Sequence, residues 1–279
     1  MFRLRYEGAF EAVEPAFQKA ALLDEWAVAP GGIPSQTWIK GEHYWLVYPP
    51  VGAIRFQPQS HVIRAYPVQG LDLRVFQAFL YHEWLPMVYA TWGFQVLHAS
   101  AAVKSDCGAV AAFTGVTGTG KSTLGYGLGQ RTGWQQIADE SLALQVRPGS
   151  VSLVPIPNDP RLRPSSSDYY GLDQATGERL AWPAGALHLD TIFFLEPQND
   201  GDSSPSPARI LPLNGADAYS LLLKQAFALT LKDRSTNRRL MQDYLQIASQ
   251  AQVCRLIYKR SFSDLPMVLD AVENWVRHA

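Results

Sequence analysis

Residues Gly115-Val116-Thr117-Gly118-Thr119-Gly120-Lys121-Ser122 constrain this chain more than any other stretch, because they fill the pattern G-x-x-x-x-G-K-[ST]. The pattern needs a strand before it and a helix after it. Gly108 to Thr114 is a short apolar run suited to a buried strand, and Ser122 to Gly129 can open a helix. Glycines let backbone N–H groups turn inward around phosphate oxygens, and the helix N-terminus adds partial positive charge. Lys121 is expected to reach the β and γ phosphates of a nucleotide, and Ser122 to place its hydroxyl on a magnesium ion. Gly115, Thr117, Gly118, Thr119, Gly120, Lys121, Ser122 and Thr123 form the expected nucleotide-binding set.

The flanking sequence sets this loop in a mixed α/β (α+β) chain. Residues 1–70 read as a β-rich domain. Gln36 to Ile39, His43 to Tyr48, Ala53 to Phe56 and His61 to Tyr66 alternate apolar and polar residues between turn signals, predicting an antiparallel meander. Its aromatics, Trp38, Tyr44, Trp45, Tyr48 and Phe56, are read as packing. Residues 71–90 have helix-compatible apolar spacing and form a linking helix, with Pro86 expected to kink or end it. The catalytic domain is expected over 91–279. Phe94 to Val103 and Gly108 to Thr114 form a hairpin that feeds the loop, unlike a plain βαβ start.

Further strands are expected at Gln136 to Ala138, Leu142 to Val146, Val151 to Val154, Leu187 to Leu195 and Val253 to Tyr258. Helices are expected at Ala216 to Phe227, Asn237 to Gln250 and Asp264 to Val276. Pro155 to Ala186 reads as a long, partly mobile loop and Gln198 to Ala208 as a disordered surface loop.

Asp139-Glu140 follows a short apolar segment, Asp139 lying eighteen residues beyond Lys121. Adjacent carboxylates at a strand end point to opposite faces, so one can serve the metal and the other an attacking hydroxyl. His98, read as mid-strand among apolar neighbours, is a candidate to orient or tune a carboxylate base. Arg161 and Arg163 lie in a proline-fixed loop and are candidates for contact with phosphate or acceptor. Lys232, Arg234, Arg238 and Arg239 are read as a solvated helix face.

Leu97-His98-Ala99-Ser100, the run from Phe113 to Leu124, and Ile137-Ala138-Asp139-Glu140 resemble in order and spacing the core of the HPr kinase/phosphorylase family. They resemble more distantly the ATP-type phosphoenolpyruvate carboxykinases. The resemblance covers roughly residues 90 to 160. It implies a P-loop kinase core using ATP and Mg2+, with Asp139 as base for a serine hydroxyl, His98 assisting, and Glu140 helping to bind the metal. Three features depart from the family: Glu140 stands where Asp is typical, Thr123 where a glutamate usually follows the loop serine, and the long signature segment after the core has no counterpart. Phosphorylase activity is therefore not expected. Relatives lacking that segment include kinases that phosphorylate the terminal serine of ribosomal precursor peptides such as lasso peptides, and by analogy the N-terminal domain is a substrate-recognition addition. Family members are often homo-oligomers.

The expected function is thus an ATP-dependent kinase acting on a serine of a small protein or peptide. The alternatives are a small-metabolite kinase and a nucleotide-binding sensor module without transfer. A net charge of −1 gives no global field for nucleic acid or an anionic membrane. Two cysteines make neither a disulfide framework nor a metal cage, and with no signal-peptide pattern a reducing cytosol is the simplest compartment. No apolar run reaches membrane-span length.

Overall fold

The computed structural model describes residues 2–17, 20–28, 32–157, 160–172, 180–198, 207–227 and 234–278. Asn158, Asp159 and Lys232, the stretch 173–179 of the expected long loop, and 199–206 of the expected disordered loop lie outside them. The chain is mixed α/β, with three sheets in two compact units, one over Met1–Gly93 and one over Phe94–Phe227 and Ser235–Ala279.

The first unit holds β1 (Arg3–Tyr6), α1 (Phe10–Phe17), β2 (Ala21–Ala27), β3 (Pro34–Lys40), β4 (His43–Tyr48), β5 (Gly52–Gln57) and β6 (Ser60–Pro67), followed by α2 (Leu73–Phe79) and α3 (Leu85–Thr91). Its sheet runs β1-β6-β5-β4-β3-β2, an antiparallel meander to which β1 adds in parallel beside β6. Trp45 and Phe56 are buried, and Trp45 stacks on Tyr66 with centroids 5.6 Å apart. These rings are core, as their sheet spacing suggests. Between α2 and α3, Leu80–Trp84 forms one π-type turn, so the helical stretch runs past Pro86 instead of stopping there. The wider turn accommodates a proline that lacks an N–H and sits in the first turn of α3.

The second unit contains β7 (Gln95–Leu97), β8 (Ala99–Lys104), β9 (Val110–Thr114), α4 (Lys121–Gly129), β10 (Trp134–Ala138), β11 (Leu142–Arg147), β12 (Ser150–Val154), α5 (Pro164–Tyr170), β13 (Thr191–Gln198), β14 (Ala208–Pro212), α6 (Gly215–Leu223), α7 (Arg234–Gln250), β15 (Gln252–Lys259) and α8 (Leu265–His278). Its six-stranded sheet has the order β10-β8-β9-β13-β15-β14, and β12-β11-β7 form a separate three-stranded sheet. Within the large sheet β9, β13 and β15 are parallel, while β8, β10 and β14 are antiparallel to their neighbours. The three parallel strands are apolar on both faces. Ala112, Ile192 and Phe194 enter one core cluster, and Ala111, Phe113 and Phe193 enter the other. Such two-sided burial is what a parallel sheet covered on both faces requires. No helix among the described residues is long and apolar enough to cross a membrane.

The strand expected over Phe94 to Val103 is in fact two. β7 pairs with β11 and β8 with β9, so the chain changes sheets at His98. The loop expected over Pro155 to Ala186 contains α5, whose sequence Pro-Ser-Ser-Ser-Asp-Tyr-Tyr has poor helix formers. Pro164 in its first turn and the left-handed Gly171 at its end supply the boundaries that composition hides.

A partly buried ionic cluster, with Lys104 and Glu273 at its buried side and Arg277 exposed, ties α8 to the sheet. Lys104 Nζ lies 3.5 Å from Glu273 Oε1, Arg131 Nη1 is 3.2 Å from Glu273 Oε2, and Arg277 Nη2 donates to Glu273 Oε1 at 2.6 Å. Burial pushes the Glu273 carboxyl upward, but hydrogen bonds from Arg277 and Arg131 overcome it and hold the pKa at about 2. A depressed folded-state pKa means stability that is present above the ordinary glutamate range and lost as pH falls towards 2. Glu273→Gln should destabilise the protein by about 3 kcal/mol at neutral pH, because Lys104 is left buried without its carboxylate. In denaturant unfolding the gap between variant and wild type should narrow as the pH is lowered through about 4.

Candidate active site

The parallel order of β9, β13 and β15 brings the segments that follow β9 and β15 to one edge of the sheet, where ligands bind in open α/β sheets. A pocket of about 230 Å³ opens there. Thr117, Gly118, Gly120 and the first turn of α4 line it, together with Tyr258 and Arg260 to Phe262.

The loop is held by its own backbone and by β15. Gly120, at the N-cap of α4, has φ 94°, a left-handed conformation that glycine adopts without strain. A β-carbon on it would sit 2.9 Å from the Tyr258 hydroxyl, which donates to Thr119 O. Thr119 Oγ1 donates to Val116 O at 2.9 Å. Lys121 is buried and folds back across the loop, donating to Gly115 O at 2.9 Å and Val116 O at 3.2 Å. Burial lowers its pKa, with Glu140 and Asp139 working in the opposite direction. The ammonium is thus aimed along a ring of backbone groups and can exchange two carbonyls for phosphate oxygens.

Asp139 is completely buried and Glu140 lines the pocket. Asp139 Oδ2 accepts from the Arg161 backbone N–H at 2.8 Å, and the Ser122 hydroxyl also hydrogen-bonds its carboxylate. Burial nevertheless raises its pKa to about 6. Ser141 N donates to Asp139 O at 2.8 Å across Glu140, whose φ is 68°, the only positive φ of a non-glycine among the described residues. This is the rare, strained positive-φ form of a γ-turn, costing on the order of 1–3 kcal/mol. It separates the two carboxylates: Asp139 goes into the protein beside Ser122, and Glu140 goes to the cavity.

His98 lies at the sheet change, with its N–H donating to Gln225 O at 3.1 Å. Its Nδ1 is 2.9 Å from Glu140 O, and since a carbonyl only accepts, Nδ1 carries the proton. Burial, then the charge of Lys121, lowers the His98 pKa. The histidine therefore fastens the strained turn through its carbonyl.

Arg161 and Arg163 both line the pocket. The Arg163 guanidinium nitrogens lie 3.5 Å from where a β-carbon on Gly118 would be, so this cation rests against the loop. Thr123 Oγ1 is hydrogen-bonded to Ser166 Oγ at 2.8 Å, and Tyr170 Oη donates to Thr123 O at 3.0 Å, tying α5 to α4. Thr117, Gly118, Gly120, Ser122 and Thr123 also line the pocket. Of the basic run at the start of α7, Arg239 pairs with Asp243 at 3.6 Å, and neither it nor Arg238 lines the pocket.

Ser122 and Asp139 supply hard oxygen donors side by side, which suits a magnesium ion held by one or two carboxylates and completed by phosphates. No group of three or more His, Cys, Asp or Glu side chains converges among the described residues, and a magnesium site of that kind does not need one. Sequence reasoning missed Tyr258, Arg260, Ser261, Phe262 and Leu265, which carry no motif and reach the loop only through the strand order.

No protein-family model matches the chain, and no curated protein matches it. Among solved structures it is similar to the HPr(Ser) kinase/phosphatase from Coxiella burnetii, with 14% identity over 64% of this chain and 89% of that chain and a TM-score of 0.32. That is a distant relationship from which no residue role is transferred, and the reading of the site rests on its own geometry.

Proposed function

We propose that the chain is a P-loop phosphotransferase of the HPr-kinase-like type that uses ATP and Mg2+ to phosphorylate a serine hydroxyl of a small protein or peptide. One observation carries this reading: Lys121, the Ser122–Asp139 pair, Glu140 and Arg163 converge at the end of the one loop whose sequence fits a polyphosphate.

In this reading the loop amides and Lys121 hold the β and γ phosphates, and Arg163 stabilises the group in transfer. A magnesium ion at Ser122 and Asp139 would neutralise charge on the phosphates. In this reading Asp139 serves the metal and Glu140 is the base, the reverse of what the family resemblance implies. Asp139, fully buried against the Ser122 hydroxyl, belongs to the metal side, whereas Glu140 faces the cavity and is the base. Glu140 takes the serine proton as the serine oxygen forms its bond to the γ-phosphorus. The bond from that phosphorus to the β–γ bridging oxygen breaks, and ADP leaves. His98 acts through the backbone as a positioning residue that fixes the turn carrying Glu140. The first unit is assigned to recognition of the protein or peptide substrate, and the cytosol is the compartment that fits.

The test is incubation of the protein with γ-labelled ATP, magnesium and a cell lysate, followed by separation of protein-bound from small-molecule label. Protein-bound label on serine supports the proposal. Label on a small molecule makes the chain a metabolite kinase, and nucleotide binding with no transfer makes it a sensor module.

A further inference from the structure

The pocket that holds the phosphate-facing groups is also lined by Arg260, Ser261 and Phe262, which follow β15, and by Leu265, which opens α8. The Phe262 ring lines the pocket and is 37% exposed, a large value for an aromatic side chain at a cavity wall. One face of it is covered by Tyr169, with centroids 4.7 Å apart and planes 15° from parallel. Tyr169 meets the edge of Tyr170 at 4.9 Å, and Tyr170 in turn contacts Tyr126 at 4.8 Å.

The pile is anchored, because Tyr170 Oη donates to Thr123 O in the first turn of α4, immediately beyond the loop. The turn that carries Phe262 is also fixed: Ser261 N donates to Lys259 O at 3.0 Å, and Leu265 N to Ser261 O at 3.1 Å. A preorganised, half-covered ring next to a polyphosphate cradle is an arrangement that recognises a flat heteroaromatic group.

We infer that Phe262, backed by Tyr169 and flanked by Leu265, is the stacking platform for the base of a nucleoside triphosphate whose phosphates lie in the 115–122 loop. The inference rests on the nucleotide reading of that loop and adds to it a second point of attachment. Stacking of a base on an aromatic side chain contributes enough that Phe262→Ala should weaken ATP binding roughly 5- to 150-fold. Inorganic tripolyphosphate, which has no base, should bind wild type and variant equally. Phe262→Trp should retain ATP binding.

Titration calorimetry of magnesium ATP and magnesium tripolyphosphate into the full chain and both variants gives the answer, with thermal melting as a check that the exposed-site variants are folded. Loss confined to ATP in Phe262→Ala supports the platform. Unchanged ATP affinity in Phe262→Ala overturns it, as does a parallel loss of both ligands, which would place Phe262 at the phosphate end. Failure of wild type to bind either ligand overturns the nucleotide reading itself, and the platform with it.

Discussion

Glu140→Gln should lower phosphoryl transfer by roughly 10²- to 10⁴-fold, the usual loss when a positioned general base is removed, while nucleotide binding stays near the wild-type level. The glutamine keeps the size of the side chain and leaves the backbone contact from His98 Nδ1 to residue 140 in place. Asp139→Asn should behave differently. Its carboxylate meets Ser122 and the Arg161 N–H inside the protein, so its loss should appear as a raised magnesium requirement. It should also not destabilise the fold at neutral pH. Burial raises the Asp139 pKa to about 6, and a carboxyl with a raised folded-state pKa loses stability as pH rises through that range, a penalty that a neutral amide avoids. Release of the γ-phosphate of labelled ATP, to acceptor or to water, followed against magnesium concentration in both variants separates the roles. If Asp139→Asn abolished transfer at saturating magnesium while Glu140→Gln retained it, the assignment would revert to the one expected from sequence.

The second large effect concerns the helix behind the loop. A β-carbon on Gly125 would lie 1.9 Å from Ser100 Oγ and 2.9 Å from Ser100 Cβ. Ser100 cannot simply turn away, because its hydroxyl donates to Ala138 O at 3.1 Å and accepts from Gln136 Nε2 at 3.3 Å. Gly125→Ala should therefore destabilise the protein by about 1–3 kcal/mol, the range for overpacking a filled core, despite alanine's better helix propensity. It should also disturb the strand end that carries Asp139, because the Ser100 hydroxyl holds the Ala138 carbonyl. Combining it with Ser100→Gly removes the obstructing side chain, so the double variant should be more stable than the sum of the two single effects predicts. Strict additivity in chemical denaturation would mean that α4 shifts as a whole and that the close approach matters less than the distances imply.

Much of the second unit is legible in sequence because its signals are local. The loop and its flanking strand and helix, the hairpin into it, and Asp139-Glu140 each lie within a short window. What is not legible depends on long-range pairing. Tyr258 meets Thr119 across 139 residues because β13 lies between β9 and β15, an order no window of sequence encodes. Phe262 looks like any aromatic after a strand until that order is known. His98 reads as mid-strand because nothing in Phe-Gln-Val-Leu-His-Ala-Ser marks a change of sheet.

In the first unit β1, Arg-Leu-Arg-Tyr, escapes notice because an edge strand with charged residues carries little apolar pattern. β14, also at an edge, is hidden because Ala-Arg-Ile-Leu-Pro is short, ends in proline and follows directly on the expected disordered loop. That Asp139 is buried while Glu140 lines the pocket could not be read from their adjacency, since a positive φ at Glu140 is a tertiary outcome.

Whether the 115–122 loop holds the polyphosphate of a nucleotide is tested most directly by titration calorimetry of magnesium ATP into wild type and Lys121→Ala. If it does, one site per chain is expected in the wild type and a loss of at least about tenfold in affinity in the variant, the equivalent of roughly 1.4 kcal/mol for a removed charged contact. Absence of binding to the wild type, or equal affinity in Lys121→Ala, would contradict it.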